Sequence, residues 1–293
     1  MVQDKTWGSR LFDIFNYILL TVVALVTILP FIHVIAGSFA TVKEVTQKSF
    51  LLIPTEFTLD AYRYIFSTDT ILRSLFVSIG ITIIGTLFSM FLTTMMAYGL
   101  SRRDLDGRRV IMFMVVFTML FNGGMIPTFL VVKAMGLIDS YMALILPTAI
   151  NAFNLIIMRN FFQNLPAGLE EAAKIDGCND IGILFRIVLP LSKPVLATIS
   201  LFYAVTYWNT YMNAILYLND PTKWPIQVVL RQIVILASGM SVDGAAFDPD
   251  FVAPPEQTVK MAVIVVATVP VLLVYPFLQK YFAKGALLGS IKD

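Results

Sequence analysis

Six apolar stretches free of Asp, Glu, Lys and Arg set the terms for this chain: residues 14–39, 74–100, 110–132, 140–158, 195–219 and 261–279. Each reaches the ~17 to 25 residues needed to cross about 30 Å of hydrocarbon as an α-helix. Of the 293 residues, 58% are hydrophobic and 14% charged, and the mean hydropathy is +0.80. Soluble domains carry roughly a quarter charged residues, so that class is excluded. The residues predict an all-α integral membrane protein with six transmembrane helices. A further apolar run, residues 232–242, is too short to cross and follows Arg231, so a surface-lying or loop helix is expected there.

Lys and Arg orient the spans, because they concentrate on the cytoplasmic side. With the N-terminus inside, that side holds Lys5, Arg10, Arg102, Arg103, Arg108, Arg109, Arg159, Lys174, Arg186, Lys193, Lys280, Lys284 and Lys292, which is 13 of 21. The tight turn carrying Arg102-Arg103 and Arg108-Arg109 decides the matter, and both termini are expected in the cytoplasm. The first stretch follows Lys5 and Arg10 as a secretory leader would, but it is too long for a leader core and lacks a small-residue cleavage site; it is read as a retained span. Cys178 is the single cysteine, so no disulfide can form within the chain.

Between the fourth and fifth stretches lies a polar segment, residues 166–194, with an unusual pattern. Pro166 suits the first turn of a helix, where its missing N–H would have no partner anyway, and Glu170 and Glu171 put negative charge near the positive end of that helix. Leu169, Ala172, Ala173 and Ile175 offer small and apolar surface that lets a partner approach closely. Asp176 follows, and Gly177 permits the φ > 0 bend that stops the helix. Beyond it Ile181, Leu184, Phe185, Val188 and Leu189 recur at helical spacing and are expected to pack this knob onto the ends of neighbouring spans, until Pro190 and Pro194 end the segment.

The run Glu171-Ala172-Ala173-Lys174-Ile175-Asp176-Gly177, followed by Ile187-Val188-Leu189-Pro190, resembles the EAA loop of bacterial binding-protein-dependent ABC importers. Seven of its positions would co-occur by chance on the order of once in a million chains of this size. The tail from Gln279 to Lys292 and the long segment 220–260, rich in Asp, Pro and Gly, are similar to the second, shorter permease of the maltose-type carbohydrate importers. Phe12 to Tyr17 and Asn122 to Thr128 resemble the branch that imports alginate- and pectin-derived oligosaccharides. The resemblance covers essentially the whole chain and implies a type I ABC importer permease fold. The implied organisation is an entry unit over residues 1–70, a permease core over 71–280 with the EAA loop at 166–194, and a cytoplasmic tail over 281–293.

It also implies partners: a second homologous permease, an ATPase dimer, an extracellular sugar-binding protein, an oligosaccharide substrate and membrane lipid, with no nucleic acid. Glu170, Glu171, Ala172, Ala173, Asp176, Gly177, Ile187, Leu189 and Pro190 are the implied ATPase-coupling residues. ATP and Mg belong to the partner ATPase, and no cofactor is expected on this chain, which lacks the GxxxxGK[ST] loop. HExxH, GxSxG and Cys/His clusters are absent too, which counts against an intramembrane enzyme, and the lone His33 is read as structural.

Amides and aromatics fall at mid-span depth: Asn122, Asn151, Asn154, Tyr203, Tyr207, Trp208, Asn209, Tyr211 and Asn213. Polar groups in hydrocarbon are costly unless paired or facing water. Asn122, Asn151, Asn154, Tyr207, Trp208, Asn209, Tyr211 and Asn213 therefore mark either a sugar path or contacts that glue helices together. On one continuous helix, Asn209 and Asn213 would share a face, as would Tyr203, Tyr207 and Tyr211. Pro127, Pro147, Pro270 and Pro276 are expected to bend spans. An importer for amino acids or peptides, or a membrane scaffold that transports nothing, remains open at this level.

Overall fold

The computed structural model describes residues 7–67, 69–237 and 257–288, and among them every regular element is helical, with one isolated bridge between Ala40 and Phe57. Two compact units are built from these residues. Of the described residues, the first comprises 7–67, 69, 230–237 and 257–268, and the second 70–229 and 269–288.

In the first unit α1 (Trp7–Ser38) is free of charged residues from Ile14 onward and buries only Ala36, Gly37 and Ser38. Gly37 packs closely here, since a Cβ there would stand 2.2 Å from the Met261 sulfur and that flexible side chain would have to move. Two short helices follow, α2 (Val42–Gln47) and α3 (Asp60–Ser67), and the segment between them is tied down by polar contacts. The buried Glu44 carboxylate accepts from Lys48 Nζ at 2.7 Å, from the Thr55 hydroxyl at 2.6 Å and backbone N–H at 2.8 Å, and from the Glu56 N–H at 3.3 Å. His33 Nδ1 accepts the Leu51 N–H at 3.0 Å while its ring stacks on Phe50, a structural role.

Led by the bond from Lys48, these donors lower the Glu44 pKa from 4.5 to about 2. A depressed carboxylate stabilises the fold above its unfolded pKa and loses that contribution as pH falls through the folded value. The Thr55 amide is therefore expected to keep constant hydrogen-exchange protection, corrected for intrinsic rates, from pH 7 to 4.5 and to lose it between pH 4.5 and about 2. Glu44→Gln should lower protection throughout and remove the pH dependence.

The second unit is organised around α4 (Asp69–Ser101). Its buried positions Ser74, Ser78, Ile81, Gly85, Ser89, Thr93, Ala97 and Ser101 recur every three or four residues, a seam of mostly small side chains that lets helices approach closely without a hydrophobic drive between them. Hydroxyls on the seam are paired: Ser89 with Tyr207 Oη at 2.7 Å, Thr93 with Tyr203 Oη at 2.7 Å, and Ser78 accepting the Ile226 N–H at 2.8 Å. Both tyrosines lie on α12 (Lys193–Trp208), so α4 and α12 are joined by packing and by hydrogen bonds.

Before α12 in the chain come α5 (Arg108–Leu120), α6 (Met125–Ala134), α7 (Met142–Ile145), α8 (Ala152–Gln163), α9 (Ala167–Ile175), α10 (Asp180–Ile183) and α11 (Leu189–Leu191). After it come α13 (Met212–Tyr217), α14 (Ile226–Ala237) and α15 (Gln257–Leu288), the last two contributing to both units. A clasp between distant turns completes the second unit. Asp139, at φ 63°, accepts the N–H groups of Asn219 and Asp220 and the Lys223 ammonium at 2.5 Å.

Of the six expected spans, three are single helices and the others fall on bent helix pairs. Three helices are individually long and apolar enough to cross a membrane: α1, α4 and the Gln257–Val274 part of α15. Three further candidates are broken pairs: α5 with α6, bent by 117°; Met142–Thr148 with α8, bent by 52°; and Asp180–Leu191 with α12, bent by 86°. The described residues thus hold between three and six spans. Stretch 110–132 breaks at Phe121-Asn122-Gly123-Gly124, where Gly124 adopts φ 87° and the Asn122 side chain accepts its N–H at 2.9 Å. Neither half, at 1.5 Å rise per residue, spans about 30 Å alone.

Candidate functional site

The segment 166–194 folds as the physical chemistry of its residues demands. Pro166 takes the N-cap position of α9, one residue ahead of the first turn, and Ala, Leu, Glu and Lys then favour the helix. Its end is a left-handed cap. Gly177 sits at φ 81°, the Gly177 N–H donates to the Lys174 carbonyl at 3.1 Å, and the Cys178 N–H donates to the Ala173 carbonyl at 2.9 Å. Asn179 starts α10 by accepting the Gly182 N–H at 2.7 Å. The wider π-helical turn Leu184–Val188 follows, then α11 and the 86° corner at Ser192, where Pro194 cannot donate to the Pro190 carbonyl.

The expected packing of this knob divides in two. Ala173, Ile183, Leu184 and Val188 are buried, and Ile187 and Leu189 are half-buried. Leu169, Ile181, Phe185, Leu191 and above all Ile175, 87% exposed, point away from the chain, as do Glu171, Ala172, Asp176 and Pro190. Grouped exposed apolar side chains of this kind mark a surface for contact with protein or lipid.

Glu170 points the other way. Its carboxylate accepts from Arg102 Nη1, and the same guanidinium lies 3.8 Å from Asp180 Oδ1, 3.6 Å from Asp104 Oδ1 and 5.7 Å above the Tyr98 ring. Lys174 reaches Asp180 at 3.7 Å. Burial works against the Arg102 charge, but Glu170, Tyr98, Asp104 and Asp180 more than offset it and hold its pKa above the ordinary value. Sequence reading used Arg102 only to orient the chain. The signal that could have found it is a cation immediately after a long span, at the negative end of that helix.

Of the amides and aromatics of the spans, the structure brings some together and separates others. Tyr207 and Trp208 are buried, and the Tyr207 ring lies against Gly85, where a Cβ would stand 2.9 Å from three ring atoms. The Tyr203 hydroxyl accepts the Asn151 N–H at 3.0 Å; Asn151 in turn caps α8 by accepting the N–H of the buried Asn154 at 3.1 Å. Asn122 is exposed at its glycine turn.

Asn209 and Asn213 do not share a helix face, because α12 ends at Trp208 and α13 begins at Met212. Tyr211, at φ −122° and ψ −63°, leaves the Tyr203/Tyr207 face for the same reason. Asn209 is exposed, donates to the Val205 carbonyl at 2.9 Å and accepts from Gln227 at 3.5 Å; Asn213 is half-buried. The seam of α4, which sequence reading missed, was legible as Ser, Gly, Thr and Ala at three- and four-residue spacing.

Known proteins share this architecture. The polygalacturonan/rhamnogalacturonan transport system permease protein YtcP of Bacillus subtilis (strain 168) is 72% identical over 97% of this chain and 99% of its own length. The protein LplC of the same organism is 58% identical over 99% and 98%. Among solved structures, a chain from the crystal structure of a bacterial ABC transporter involved in the import of the acidic polysaccharide alginate superposes with a TM-score of 0.85 at 36% identity, over 94% of this chain and 98% of that one. Residues 105–287 match the family described as binding-protein-dependent transport system inner membrane component. This chain belongs to that family of inner membrane transport components.

Proposed function

We propose that this chain is a permease subunit of an ABC importer for an oligosaccharide, and that the oligosaccharide is acidic and derived from a plant or algal polysaccharide. The observation that carries the reading is the 72% identity, over nearly the full length of both chains, to a permease named for polygalacturonan and rhamnogalacturonan transport. The alginate importer chain supports the same chemistry, a polyuronate. In this reading the chain crosses the inner membrane six times, with both termini and the 166–194 loop in the cytoplasm, so that Asp180–Leu191 belongs to that loop and only α12 of the third bent pair enters the membrane. A second permease, an ATPase dimer that binds ATP and Mg, and an extracellular binding protein complete the assembly.

The outward residues Leu169, Glu171, Ala172, Ile175 and Ile181 enter a cleft on the ATPase, and the inward ones tie that motion to the spans. The segment 220–260, long and polar, touches the extracellular binding protein in this reading; its residues 238–256 lie outside the described residues.

The test is uptake of an oligogalacturonide digest by proteoliposomes holding both permeases and the ATPase, with the binding protein supplied. ATP-dependent accumulation is expected, and its absence with an assembled complex overturns the reading. Asn209 and Asn213, at the break between α12 and α13, are proposed as path residues. Replacing both by Leu removes about 1 kcal/mol of hydrogen bonding at each, so uptake should fall roughly fivefold or more per position while the two permeases still co-purify. Dissociated permeases, or unchanged uptake, would reject the path role.

A further inference from the structure

The turn that follows α4 is built more firmly than a connection between helices requires. Three successive carbonyls at the end of α4 accept side-chain donors from elsewhere in the chain: Leu100 from Arg159 Nε at 3.3 Å, Ser101 from Gln163 Nε2 at 3.3 Å, and Arg102 from Arg108 Nη1 at 3.2 Å. Arg159 and Gln163 belong to α8, so the last turn of α4, where a helix ordinarily frays, is fastened to a neighbour. From this fixed point the Arg102 side chain, 16% exposed, reaches Glu170 on α9 and Asp180 at the start of α10.

We propose that Arg102 is the positioning residue that makes α9 and α4 move as one body, so that whatever displaces α9 displaces α4. The proposal rests on the reading of the 166–194 loop as the ATPase-coupling element. Two adjacent acids of that loop divide the work: Glu171 is presented outward, and Glu170 is held by the chain's own α4. A guanidinium suits the task because its planar fork fixes direction at more than one carboxylate, which the point charge of an ammonium does not. Motion received at α4 goes further. The pairs Ser89 with Tyr207 and Thr93 with Tyr203 carry it to α12, which leads directly to Asn209 at the proposed path.

The experiment uses the full complex in proteoliposomes, with the oligogalacturonide digest as probe, and reads ATP hydrolysis with and without loaded binding protein together with ATP consumed per sugar accumulated. In Arg102→Gln the subunits should co-purify in the usual proportions while stimulation by loaded binding protein falls about tenfold, within the span of ordinary coupling between sites. Arg102→Lys should recover part of it. Glu170→Gln should lose less, and the double variant should be no worse than Arg102→Gln alone, because its second change removes a partner already lost.

Unchanged stimulation in Arg102→Gln, or additive losses in the double variant, overturns the proposal. So does loss of subunits from both the Gln and the Lys complexes, which would make Arg102 an assembly contact. An unsubstituted complex that ignores loaded binding protein refutes the coupling reading itself, and is told apart by failing without any substitution.

Discussion

Gly177→Val is expected to leave the protein in the membrane and in its complex while abolishing the stimulation of ATP turnover by sugar-loaded binding protein. The structure makes the reason specific. A Cβ at Gly177 would meet nothing within 4 Å, so the damage is not a clash. It is torsional: φ is 81°, where L-residues cost roughly 1–2 kcal/mol and β-branched ones more, and the two bonds that close α9 depend on that angle. The helix end would unwind to relieve the strain and carry Ile175 and Glu171 off their present line.

Gly177→Asn is the control, because Asn tolerates the left-handed region through its short polar side chain. It should retain most of the stimulation. Equal loss in Val and Asn variants would mean that side-chain size at the docking surface, rather than the turn, decides the outcome.

The second large effect is expected at Gly85→Leu. Three atoms of the Tyr207 ring lie 2.9 Å from where a Cβ would be, and the ring is held by the bond from its hydroxyl to Ser89. Leu costs nothing in helix propensity, so the whole penalty is overpacking, about 2–3 kcal/mol, and α4 and α12 must separate to admit it. The purified permease pair should unfold in detergent at a clearly lower temperature, and Tyr207→Ala placed in the same chain should restore part of the loss, since it empties the space that Leu needs. An unaltered unfolding temperature, or a double variant worse than the sum of its parts, would show that this contact does not hold the two helices together.

The Gly85 contact also marks where reading from sequence stops. Tyr207 was legible as an aromatic at membrane depth, open to roles as path or as glue. Only the close approach of α4, permitted by Gly85, buries it against Ser89. The pairing of Asn209 with Asn213 failed for a related reason. A four-residue spacing predicts a shared face only if the helix continues, and α12 stops at Trp208. No Pro or Gly stands at that break to announce it.

Local physics was enough for the 166–194 loop. A helix from Ala167 that ends at Gly177 is specified by Pro166, the run of helix-forming residues and one glycine that reaches φ > 0 without strain, all within eleven residues of one another. Apolar length likewise marked three helices that can cross a membrane singly, because the thickness of hydrocarbon sets that length whatever the fold. What the tertiary structure decided is which of those regions are continuous, which acid of the Glu170-Glu171 pair faces inward, and that Arg102 meets Glu170 across 68 positions of chain. Asp139 and Lys223, 84 positions apart, form their clasp in the same way. Such contacts depend on where helix ends arrive in space, which the packing of several helices against one another sets and no single segment of sequence determines.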